Sequence, residues 1–75
     1  MSNNFEMVAV DSSMLSSIGF DAENETLRAV YTKGGIYDYL HVPEKTFKGL
    51  KRAKSVGRYF HRNVINGDYA FKRVV

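Results

Sequence analysis

The residues of this chain best suited to chemistry are its bases. Lys45, Lys48 and Arg52 recur at helical spacing, Arg58 and Arg62 follow four apart, and Lys72 and Arg73 stand near Val75. Lysine and arginine neutralise phosphates, and arginine can grip one through two parallel N–H groups. From Lys45 onward nine bases meet Asp68 as the single acid, a charge of +8, whereas residues 1–44 hold two bases against seven acids, −5. The halves sum to a modest +3. An anionic partner is expected at the positive half, either RNA or a smaller phosphorylated nucleotide. The same division would let an acidic protein, or the negative half of a second copy, dock there. Basic helix faces also serve solubility alone.

Tyr37 and Tyr39 lie two apart and so share one strand face. Stacking of a base on such a ring is worth about 1–3 kcal/mol in single-strand binders. A small domain without tryptophan equally needs these rings for its core, with hydroxyls at the rim. Catalysis finds less support. Ser55, His61 and Asp68 could be drawn as a triad, but Ser55 reads as a helix cap and no G-x-S-x-G context presents a nucleophile. His41 and His61 are the only histidines and there is no cysteine, so thiolate metal sites are absent and no H-x-x-x-H pair exists. Gly34-Gly35 is not a phosphate loop. The alternation of Asp21, Glu23 and Glu25 lacks the calcium-loop signature and reads as a solvated turn. The expectation is a non-catalytic binding module without cofactor or metal.

These residues must be held by few elements, because 75 residues make one domain. At this size folding hides only about 60% of the surface of the open chain, which leaves little depth for a catalytic cleft. An apolar content of 44% with 25% charged residues suits a folded globule. The lack of cysteine suits a reducing, cytoplasmic setting, and neither a signal-like start nor a membrane-length apolar run is seen.

Residues 1–10 read as an arm or short strand. Met14, Ile18 and Phe20 alternate as a first strand, and Asp21–Glu25 form a polar turn. Leu27, Ala29 and Tyr31 alternate in a second, and Ile36–Val42 follow Gly34-Gly35 as a third. A two-residue turn would set Asp38 on the Leu27/Ala29/Tyr31 face. An odd-length loop with a glycine bulge, pairing Tyr31 with Tyr37 and Ala29 with Tyr39, avoids an isolated buried acid and is preferred. Pro43 suits the first position of a helix over 43–53, with Phe47, Leu50 and Ala53 on one side and Lys45, Lys48 and Arg52 on the other. Ser55 caps a second short helix on which Val56, Tyr59, Phe60, Asn63 and Val64 share a face. After the Asn66-Gly67-Asp68 turn, residues 69–75 read as a closing strand or extended tail. The fold class is α+β: a three-stranded antiparallel meander, one or two amphipathic helices and a short C-terminal strand.

The order Leu27-Arg28-Ala29-Val30-Tyr31, Gly34-Gly35, Tyr37-Asp38-Tyr39, Val42-Pro43, then Ser55-x-Gly57-x-x-Phe60-x-x-Asn63-x-Ile65-x-Gly67-x-Tyr69-x-Phe71 resembles the KTSC domain. That small domain is named for its occurrence at the C-terminus of some lysyl-tRNA synthetases and also occurs as a free-standing bacterial or phage protein. The resemblance spans about residues 11–74. Ala70 stands where members often have proline, and Ala29 where a larger aliphatic is common. It implies a shared fold and, through the synthetase context, RNA binding. With Tyr59, the matching Phe60, Asn63 and Tyr69 become further candidate ligand positions.

Overall fold

Strands β1 (Glu6–Ala9), β2 (Leu15–Asp21), β3 (Thr26–Tyr31) and β4 (Ile36–Tyr39) run up and down as successive antiparallel neighbours in a computed structural model that describes residues 5–75. Helix α1 (Glu44–Arg52), helix α2 (Val56–Phe60) and a π-helical turn over His61–Ile65 follow, and β5 (Phe71–Arg73) returns antiparallel to β4. The sheet therefore has five strands in chain order: the expected three-stranded meander, with the segments read as an N-terminal arm or short strand and as a closing strand or tail both pairing into it. Residues 6–9 and 71–73 extend the central meander at its two edges, while residues 1–4 of the expected N-terminal arm lie outside the described residues.

A bulge decides which side of β2 is buried. Leu15 lies opposite Tyr31 but Ser17 lies opposite Val30, so the register shifts between them. One extra residue reverses the alternation. Leu15 and Ile18 consequently both reach the core with no exposure, while Met14, expected to begin the buried series, only packs at its margin.

The β3–β4 hairpin has the odd-length loop expected, with a different pairing. Tyr31 N–H donates to the Gly35 carbonyl, and Gly34 and Gly35 take φ of 112° and 99°, values L side chains rarely adopt. Ala29 pairs with Tyr37 and Leu27 with Tyr39, one two-residue step from the expected register. Because the step is even, Tyr37 and Tyr39 still share the face of Leu27, Ala29 and Tyr31. Asp38 points to the opposite, outer face.

Pro43 is extended (φ −68°, ψ 147°) and precedes α1, which starts at Glu44 rather than at the proline. Glu44 sits in the first turn and Lys51 and Arg52 in the last, where each charge opposes the helix dipole. Phe47 and Leu50 are buried toward the sheet, and Phe47 stacks on Phe20 with centroids 5.3 Å apart. Ser55 caps α2 as expected, its Oγ accepting from Arg58 N–H at 3.3 Å. Val56, Phe60 and Val64 are buried, and Phe60 meets Tyr31 and Tyr39 edge-on. Full burial of a ring such as Phe60 contributes about 1.5–3 kcal/mol. The helices thus cover the inner face of the sheet except at its β5 edge, whose residues stay exposed. Among the described residues no helix is long and apolar enough to cross a membrane.

Candidate nucleic-acid interface

Two features on either side of α2 shape the concave corner between the helices. The first is Gly49 of α1, where a Cβ would overlap the hydroxyl of Tyr59, so its absence lets Tyr59 lie against α1. The second is the widened turn after Phe60, in which Asn66 N–H donates five residues back to the His61 carbonyl at 3.0 Å. Such π-turns release carbonyls from the regular helical ladder and are frequent at functional positions. Here the side-chain amide of Asn63 donates to the Tyr59 carbonyl at 3.0 Å, which ties the residues that line the corner to one another.

The resulting open cleft, about 300 Å³, is lined by Ala53, Lys54, Ser55, Arg58, Tyr59, Arg62 and Asn63. A second cleft of about 460 Å³ adjoins it, where Asp11–Met14 lie against Ser55, Val56 and Gly57. Lys54 and Arg58 line both and form the ridge between them. The Ser12 hydroxyl in the second cleft accepts from the Met14 and Leu15 N–H groups. Lys54, Arg58 and Arg62 are exposed, and none is ion-paired among the described residues. Three unpaired cations around one concavity form a site to which an anion can bring compensating charge.

The seven basic residues expected to act together are divided by the structure. Arg58 and Arg62 converge at the cleft. Lys45, Lys48 and Arg52 are exposed on α1, and Lys48 Nζ lies 4.0 Å from Glu44 Oε2. Helical spacing puts Lys45 and Arg52 on the side of α1 that carries Gly49, next to α2, and Lys48 farther round. Lys72 and Arg73 point to opposite faces of β5: Lys72 pairs with Asp38 on the outer face, Arg73 with Tyr37 on the inner. Lys72 therefore stands on the opposite face of the sheet from Arg73.

The remaining candidates, five aromatic residues and Asn63, divide as well. Tyr39 is 5% exposed and Phe60 is fully buried, so both are core residues with no ring face open to a ligand. The Tyr39 hydroxyl is 2.8 Å from that of Tyr31. Burial first, and then Tyr31, push the Tyr39 phenol above its ordinary value. Tyr37, Tyr59, Asn63 and Tyr69 are half-buried and retain accessible surface. Two residues that the sequence reading passed over matter here. Lys54 falls between the helices, outside either helical stripe, and Phe71 stays 60% exposed on β5. Their signals were the unmatched cation just before a cap residue and the apolar residue alternating with Tyr69 in the closing strand.

A five-stranded meander with two short helices on one face, and a basic cleft where they meet, defines a small α+β domain. The family model of the KTSC domain matches residues 11–69, and the chain belongs to that family. It is similar to a KTSC domain protein of known crystal structure from Yersinia pestis, with a TM-score of 0.85 and 34% identity over 95% of this chain and 99% of that one. An uncharacterised protein of Stutzerimonas stutzeri is 34% identical over 89% of this chain and 94% of its own length. A lysine–tRNA ligase of Nostoc is 27% identical over 93% of this chain, which spans 12% of the ligase.

Proposed function

We propose that the protein is a non-catalytic module that binds RNA through the phosphates, with the Lys54–Arg58–Arg62 cleft as its centre and Lys45 and Arg52 flanking it. The observation that carries this reading is the gathering of three unpaired cations around one concavity in the half of the chain whose only acid is Asp68. Arginines spaced one helical turn apart suit successive phosphates better than a point ligand. A similar domain within an enzyme that handles tRNA supports RNA as the polyanion.

Anisotropy titrations with labelled single-stranded and duplex RNA test the reading. Binding at low salt should weaken steeply as salt rises, and Arg58→Glu with Arg62→Glu should abolish most of it. No binding at low salt, or binding indifferent to that double substitution, sinks the proposal.

A second reading rests on the open sheet edges. Exposed Glu6 lies on β1 at one edge, and exposed Lys72 and Arg73 lie on β5 at the other, so opposite charges would meet if copies paired edge to edge. Such an oligomer could also enclose a small nucleotide between subunits, or an acidic protein could take the place of the second copy. Sedimentation showing a salt-sensitive oligomer together with no RNA binding favours this reading; a monomer at all salt concentrations removes it.

A further inference from the structure

We infer that Phe71, Tyr37 and Arg73 form a nucleobase-stacking subsite on the inner face of β4–β5, so that the RNA proposed above, on which this inference rests, is held there as a single strand. Phe71 is a large apolar ring left 60% exposed in a domain too small to waste apolar surface. It lies opposite Tyr39 and rests on two tyrosines, its centroid 5.6 Å from Tyr39 and 6.0 Å from Tyr37. Tyr39 is buried and hydrogen-bonded to Tyr31, so the support under Phe71 is fixed. The ring is presented on a firm base.

A cation accompanies it on the same face. The Arg73 guanidinium stands 5.8 Å from the Tyr37 centroid, and its Nε donates to the Val75 carbonyl at 2.9 Å. Gly35 makes room for this arrangement: a Cβ there would lie 3.2 Å from Tyr37 Cε1 and 3.6 Å from Arg73 Nη2. An exposed aromatic face with an oriented guanidinium beside it matches a ligand that is planar at one end and anionic at the other, which describes a nucleotide. No acid occurs in residues 69–75 to repel the phosphate. A base can lie on Phe71 only if it is unpaired, so the subsite selects single strands over duplex.

The test uses the full chain and two labelled probes of equal length, an oligouridine and an abasic ribose-phosphate backbone. Phosphate contacts bind both, whereas stacking shows only as the difference between them. Phe71→Ala should lower affinity for oligouridine about 5- to 100-fold and leave the abasic probe unchanged, while Phe71→Trp restores oligouridine binding. Arg58→Glu with Arg62→Glu should weaken both probes alike. Equal loss for the two probes, or no loss on Phe71→Ala, overturns the subsite while leaving the phosphate-binding reading in place. Should the wild type bind neither probe, that reading fails, and millimolar uridine monophosphate then decides the subsite alone: absence of shifts in the Phe71 and Tyr37 ring resonances overturns it. A fall in sedimenting mass for Phe71→Ala with oligouridine affinity intact also overturns it, and marks the patch as a contact between copies.

Discussion

Arg28 and Asp38 lie directly opposite each other on β3 and β4, and the guanidinium meets the carboxylate in a two-pronged contact, Nε to Oδ1 at 2.7 Å and Nη2 to Oδ2 at 2.9 Å. Asp38 is 4% exposed, so this acid is buried after all, but on the outer face and with a partner. The Phe5 ring covers the guanidinium at 4.1 Å. The hydrogen bond to Asp38, opposed by burial and aided by the carboxylate's charge, holds the Arg28 guanidinium above its ordinary value. Because the two residues pair only when β3 and β4 are in this register, the contact penalises a slipped hairpin.

Arg28→Ala should therefore be costly. It strands a buried carboxylate, and since the Arg28 side chain keeps 23% of its exposure, the loss expected is about 1–3 kcal/mol rather than the larger values of fully buried pairs. Arg28→Lys should recover only part, because an ammonium cannot fork. Urea denaturation with unchanged m-values checks both; a shift below about 0.5 kcal/mol for the alanine variant, the range of ordinary surface changes, contradicts the register role.

The Tyr31–Tyr39 hydroxyl pair predicts how the fold responds to alkali. Tyr39 resists ionisation because burial and Tyr31 disfavour its phenolate. With the folded value above the unfolded value of about 10, the stabilisation is complete below about pH 10 and is lost as pH rises above it. Tyr39→Phe should flatten that alkaline decline and cost about 1 kcal/mol near neutrality for the missing hydrogen bond. Thermal melts of both proteins across the alkaline range compare the slopes; identical slopes would show that the Tyr39 hydroxyl does not control the decline.

Much of the scaffold was legible because short-range chemistry decides it. Ser55 before Val56 announced a cap, Gly34-Gly35 an irregular hairpin, and Phe47 with Leu50 a buried helix side. What stayed hidden depends on single-residue offsets. The bulge that moves Leu15 inward gives no composition signal, since Ser16 and Ser17 fit either alternation. Asp38 could be kept off the Leu27 face by electrostatic reasoning, yet its partner Arg28 emerges only once the true pairing is known. The site was half legible for the same reason. Charge along the chain located the basic half, but only the corner between α1 and α2 joins Lys54 to Arg58 and Arg62, and only alternation along β5 separates Lys72 from Arg73.

The contact between Gly49 and Tyr59 makes a prediction whose sign depends on the background. Alanine for glycine inside a helix is ordinarily favourable by about 0.5–1 kcal/mol. Here the new methyl would fall 2.5 Å from Tyr59 Cζ and overlap the hydroxyl. Overpacking of this kind costs about 1–3 kcal/mol, so Gly49→Ala should be net destabilising in the wild type. In a Tyr59→Ala background the same change should stabilise the protein. A double-mutant cycle in urea reads the reversal, and an additive cycle would mean that the helices do not meet through this pair.

The division of the bases makes the sharpest statement about the cleft. Lys54, Arg58 and Arg62 ring one concavity, whereas Lys48 is placed beside Glu44 and Lys72 points to the outer face. If the cleft tracks a phosphate backbone, Lys54→Ala, Arg58→Ala and Arg62→Ala should each weaken RNA binding without regard to sequence and reduce the slope of log affinity against log salt by about 0.7–1, the share of one phosphate contact. Lys48→Ala and Lys72→Ala remove the same charge from the chain and should leave the slope unchanged. All five positions are exposed, so stability should move by no more than about 0.5 kcal/mol and binding differences can be read directly. Five equal slope changes would indicate that net charge alone attracts the RNA, with no localised site; a loss confined to the three cleft residues ties binding to the geometry that Gly49 and the π-turn create.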